Sequence, residues 1–90
     1  MKKHLLVRHR IADFDRWKRV FDSHAEAQRE AGLRITHVLR NAEDPDEVLL
    51  FFEADSIEGA REFAESPAVP ESRTVSGVVD TPDIWFLEKA

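Results

Sequence analysis

Ninety residues, 42% apolar and 34% charged, suit one soluble globular domain rather than a disordered chain. A net charge of −5 and a pI near 5.3 exclude the broad basic surface that draws proteins to nucleic acid or anionic membranes. With no cysteine, disulfides, thiol catalysis and zinc–thiolate centres are excluded as well.

The first segment, KHLLVRHRI, has strand character. Its apolar run is only LLV before Arg8, too short for a signal peptide or a membrane span, so the cytoplasm is the expected compartment. A helix follows. Asp13 suits its N-cap and Asp15 its first turn. Phe14, Trp17, Val20, Phe21, His24, Gln28 and Ala31 recur at three- and four-residue steps, which predicts one amphipathic helix of about five turns. Gly32 is placed to end it.

RITHVLR and VLLFFEA are the next two strands, joined by the polar, turn-rich loop NAEDPDE. A short helix begins near Asp55, which stands at capping-box spacing from Glu58, and Ile57, Ala60, Phe63 and Ala64 form its inner face. Ser66-Pro67 permits a second helical piece over about 67–76, stopped by Gly77. DIWFLE is the last strand. The order strand, helix, strand, strand, helix, strand is the ferredoxin-like α+β plan, as a single domain over residues 1–90. Right-handed crossovers then give strand order 4-1-3-2 and put both helices on one face of an antiparallel sheet.

Alternation assigns side chains to the two faces. The helix side receives Leu5, Val7, His9 and Ile11, then Ile35, His37 and Leu39, then Val48, Leu50, Phe52 and Ala54, then Trp85 and Leu87. The open side receives Leu6, Arg8, Val38, Arg40, Leu49, Phe51, Glu53, Ile84 and Phe86. Each apolar group left wet there forgoes roughly 1.5–3 kcal/mol. Such a patch marks an interface, and a chain this short, burying only about 60–65% of its unfolded surface, gains from a partner. A two-fold homodimer through this face is therefore expected, with Arg8, Arg10 and Arg40 pairing with Glu53 and Glu88.

The stretches HLLVRHRIADFDRWKRVFDSH, EAGLRITHVLRNAEDPDEV, REFAESP and GVVDTPDIWFLE resemble the dimeric α/β-barrel superfamily. That group includes the antibiotic-biosynthesis monooxygenase-like domains and small cyclase-like bacterial proteins. The resemblance spans nearly the whole chain. It implies a homodimer with a ligand pocket between helices and sheet. Haem-degrading relatives use a first-strand asparagine, a third-strand tryptophan and a second-helix histidine. Here the first strand has no asparagine, Phe51 and Phe52 occupy the third, and the second helix has no histidine, so haem degradation is not expected. Cofactor-free quinone-forming relatives also rely on an asparagine and a tryptophan. Trp17 and Trp85 fall on other elements, and that role does not transfer.

His37 and His9 are the candidate proton-transfer groups, because imidazole titrates near neutral pH. His24, Trp17, Phe21, Phe52 and Trp85 are the candidate pocket lining for a flat apolar or aromatic molecule. At this spacing the same aromatics are first of all core, and a lone buried histidine is commonly held by main chain. No metal or other cofactor is expected. His9 and His37 start about 9–10 Å apart on strands flanking a third, no carboxylate shares their face, and HxH and HExxH spacings are lacking. EDPDE lacks the pattern of a calcium loop, and three scattered glycines make no phosphate loop. Two functions from different classes remain. One is a dimer that binds a small apolar or aromatic molecule. The other is an enzyme (cyclase, isomerase or cofactor-free monooxygenase) acting on such a molecule.

Overall fold

The computed structural model describes residues 3–65, 77–80 and 82–90. Its elements are β1 (Lys3–Arg10), α1 (Phe14–Ser23), α2 (Ala25–Glu30), β2 (Leu33–Asn41), β3 (Asp44–Ala54), α3 (Ile57–Glu65) and β4 (Asp83–Glu88). The four strands form one antiparallel sheet in the order β2-β3-β1-β4. This is the ferredoxin-like arrangement expected from the chain order, with three helices in place of two. The predicted helical piece over 67–76 lies outside the described residues.

The long first helix is interrupted at His24. The Ser23 hydroxyl donates to the Val20 carbonyl at 2.6 Å, a back-bond that competes with helix continuation. Asp13 does cap α1, its carboxylate accepting from the amides of Asp15 and Arg16 at 3.0 and 3.4 Å. Gly32 follows α2 with φ of 79°, a left-handed conformation in which glycine carries no Cβ penalty. At α3 the capping falls to Ser56, whose hydroxyl accepts from the Gly59 amide at 3.0 Å, and not to Asp55. Asp55 pairs with Arg34 at 3.0 Å instead.

The core lies between the sheet and the helices. Leu5, Ile11, Trp17, Leu33, Val48, Leu50, Phe52, Ala54 and Ala60 are buried there. Among the described residues no helix is long and apolar enough to cross a membrane.

Two strands depart from simple alternation. In β2, Ile35 pairs with Phe52 and His37 with Phe51, leaving Thr36 as the extra residue of a bulge. The Thr36 hydroxyl donates to the Phe51 carbonyl at 3.0 Å and so fills the gap in the ladder. Beyond the bulge every side chain changes face. Val38 and Arg40 therefore lie on the helix side, opposite Leu50 and Val48, while His37 and Leu39 lie on the open side. In β4, Ile84 pairs with Val7 and Phe86 with Leu5. Directly opposed residues share a face. Ile84 and Phe86 thus belong to the helix side, and both pack against the core with Val38. Trp85 and Leu87 belong to the open side.

The hairpin is also tighter than expected. Only Ala42 and Glu43 separate β2 from β3, and the Asn41 side chain accepts from the Glu43 amide at 2.9 Å. Between the pairs Arg40–Val48 and Asn41–Asp44, β3 advances further than β2, so Pro45 to Glu47 bulge away from that partner. Proline, lacking an N–H, fits where no ladder bond is required.

Candidate functional site

The helix side of the sheet carries an aromatic row. Phe14 and Trp17 lie one turn apart on α1 with ring centroids at 5.7 Å. Trp17 stacks on Phe21 at 5.0 Å with planes 16° apart, and Phe21 reaches Phe52 of β3 at 6.2 Å. His9 meets the Trp17 ring edge-on at 5.6 Å and 78°. Both are enclosed, with Trp17 2% exposed and His9 6%. The Arg40 guanidinium lies 4.3 Å from the centre of the Phe14 ring, a cation–π contact that fixes Arg40 on this side. On the far strand, Arg61 of α3 covers Phe86 at 4.5 Å in the same way.

The three histidines do not converge. His9 alone lies in the aromatic interior. His37 is exposed on the opposite face, edge-on to Phe51 at 6.0 Å, with Nδ1 3.2 Å from the Thr36 hydroxyl. His24 sits at the junction where α1 ends and α2 begins, and its carbonyl accepts from the Gln28 amide at 3.0 Å. Placing His37 beside His9 is thus corrected, and so is Trp85 as a wall of the interior. Trp17, Phe21 and Phe52 come together as expected. Among the described residues no three His, Asp or Glu side chains gather where a metal ion could be held.

The open side carries a row across the whole sheet: His37, Phe51, Leu6 and Trp85, from β2 through β3 and β1 to β4. Leu39 and Leu49 flank it on one side and Leu87 on the other. Leu39 is 47% exposed and Trp85 44%. Of the residues assigned to this face from sequence, Leu6, Arg8, Leu49, Phe51 and Glu53 lie on it. Val38, Arg40, Ile84 and Phe86 do not.

Charge borders the row. Arg8 bonds Glu47 at 3.2 Å and Asp83 at 3.0 Å, while Arg10 pairs with Asp44. The Glu47 hydrogen bond, aided by Asp83, raises the Arg8 guanidinium above its already high pKa. Arg34 pairs with Glu53 at 3.0 Å and Lys3 with Glu88. The Lys3 ammonium holds the Glu88 carboxyl below its usual range by hydrogen bonding and by charge. The expected pairs of Arg8, Arg10 and Arg40 with Glu53 and Glu88 are replaced by these. Arg40 instead donates from Nε to the Pro45 carbonyl at 2.9 Å.

Sequence reasoning missed Arg40 as the cover of Phe14, and Leu39 and Leu87 as parts of the open face. The strand-by-strand alternation that would place them is reset by one residue, and nothing in RITHVLR marks Thr36 as that residue.

No protein-family model matches the chain, and no curated protein is similar to it. Solved structures are. A candidate antibiotic biosynthesis monooxygenase from Bordetella bronchiseptica superposes with a TM-score of 0.79 at 13% identity, covering 99% of this chain and 97% of its own. The chain has the fold of the antibiotic biosynthesis monooxygenases. SnoaB, a cofactor-independent oxygenase from Streptomyces nogalater, gives 0.74 at 14% identity, covering 98% of this chain and 92% of its own. A conserved protein from Methanosarcina mazei gives 0.76 at 12% identity, covering 100% and 94%. The resemblance seen in the sequence holds at the level of the fold.

Proposed function

We propose that the chain binds a small apolar or aromatic molecule between α1 and the sheet, and that it does so as a cytoplasmic two-fold homodimer. The observation that carries the binding reading is the stacked row Phe14, Trp17, Phe21 and Phe52, with His9 at its edge and Arg40 at its end. A flat ring fits such a wall by continuing its offset stacking, and His9 offers a polar contact at the edge. The dimer reading rests on the open row. Its apolar side chains join four strands into one continuous strip rimmed by paired charges, and burial against a second copy would remove it from water.

Trp17 fluorescence tests the ligand. In Trp85→Phe protein, where Trp17 is the single tryptophan, a naphthoquinol titration is expected to quench the emission saturably, and Phe21→Ala to weaken that quenching. Emission that stays unchanged to the solubility limit would remove this reading. Sedimentation equilibrium tests the dimer, and a monomer at micromolar concentration would exclude it.

A second reading, an enzyme acting on the same class of molecule, is favoured by SnoaB, an oxygenase among the fold neighbours. In this chain its proton-transfer group would be His9, the histidine enclosed with the aromatic wall. Turnover of aromatic quinols by wild type but not by His9→Gln, with Trp17 quenching retained in both, would separate catalysis from binding.

A further inference from the structure

A depression of about 220 Å³ lies between α2 and the edge strand β2, lined by Ala25, Gln28, Arg29, Leu33, Arg34 and Ile35. It stands apart from the aromatic row, whose rings do not line it. Its floor is apolar, from Ala25, Leu33 and Ile35. The polar groups are more telling. Gln28 is 6% exposed, and among the described residues its carboxamide makes no hydrogen bond. Its polar atoms are not fully buried, so the amide keeps contact with solvent and is open to an outside partner. The depression is where this amide finds room for a partner.

The two arginines differ. Arg34 is held by Glu53 and Asp55, each at 3.0 Å, and its charge is neutralised. Arg29, in the last turn of α2, makes no ion pair among the described residues. The rim therefore presents one uncompensated cation beside one amide donor, above a floor of aliphatic carbon. We propose that this depression is a binding site for a small organic acid with a compact apolar body, such as an aryl carboxylate. The acid's body lies on Ala25 and Ile35. One carboxylate oxygen accepts from the Gln28 Nε2–H, and the other pairs with the Arg29 guanidinium. The volume of about 220 Å³ accommodates a ring of benzoate size. This site is independent of the ligand assigned to the aromatic row.

Benzoate titrated into 15N-labelled protein tests the assignment, with sodium chloride as the ionic-strength reference. Saturable shifts are expected at the Gln28 side-chain NH2 and at the backbone amides of α2 and Leu33 to Ile35. Benzyl alcohol, which keeps the ring and lacks the carboxylate, should produce none of them. Arg29→Ala should weaken benzoate by about fivefold or more, as loss of one partly solvated charged hydrogen bond requires. Gln28→Leu, which fills the same space without a donor, should abolish the shifts. Shifts matched by sodium chloride, shifts that map to the aromatic row, or saturable binding indifferent to both substitutions would each overturn the site. Should Gln28→Leu disturb α2, the solvent-facing Arg29→Ala decides alone.

Discussion

The two faces of this sheet use the same kinds of residue to opposite ends. On the helix side, apolar groups are enclosed: Leu5, Val48, Leu50 and Phe52 are each at most 4% exposed. On the open side, Leu39, Trp85 and Leu87 are comparably large and stand more than a third exposed. Polar groups follow the division. The enclosed face admits His9 against Trp17 and Arg40 over Phe14, each on an aromatic ring. The open face admits charges only at its border, as pairs. Position relative to the helices, and not hydrophobicity, distinguishes core from surface here. The open strip has the composition of a core that lacks its second half.

Substitutions can break this contrast. Trp17→Ala should be the most damaging to the fold, costing about 3–5 kcal/mol in denaturant unfolding, since it opens a cavity where four rings meet. Phe51→Asp should leave the fold in place and weaken self-association by about a hundredfold or more, because a carboxylate without a partner costs several kcal/mol in an apolar interface. Sedimentation equilibrium reads the difference, and an unchanged association constant would separate the open strip from dimerisation. Arg40→Ala should cost only about 0.5–1 kcal/mol, the worth of an exposed cation–π contact, and should not alter association. A dimer defect from Arg40→Ala would contradict its placement on the helix side.

The smallest effect concerns the Lys3–Glu88 tie at the end of β1 and β4. Because the folded Glu88 carboxyl titrates below the usual value near 4.5, its contribution is present above that pH and is lost as pH falls through the depressed value. NMR titration of the Glu88 carboxyl should show the low midpoint, and Lys3→Met should return it toward 4.5.

Element order, sheet topology and the identity of the central strands were legible in the sequence, because β1 and the Val48 to Ala54 stretch of β3 keep alternation and α1 its three- and four-residue steps. The edge strands were not. In DIWFLE four consecutive apolar residues occupy both faces, so the pattern holds no phase, and only the pairing of Leu5 with Phe86 supplies it. In RITHVLR the phase is present but resets at Thr36. Reading straight through puts His37 beside His9, when the two lie on opposite sides of the sheet. The aromatic row itself was legible, because Phe14, Trp17 and Phe21 recur at helical spacing and Phe52 falls within Val48 to Ala54, where β3 alternates without interruption.

The bulge at Thr36 has a bearing on solubility. β2 is an outer strand, and a flat outer strand rich in Ile, Val and Leu invites an unrelated chain to add itself alongside, and then another. With one irregularity at Thr36 and a second where Pro45 to Glu47 leave the ladder, β2 twists and carries no long regular template. The same irregularity that resets the side-chain phase also keeps the sheet finite along this edge.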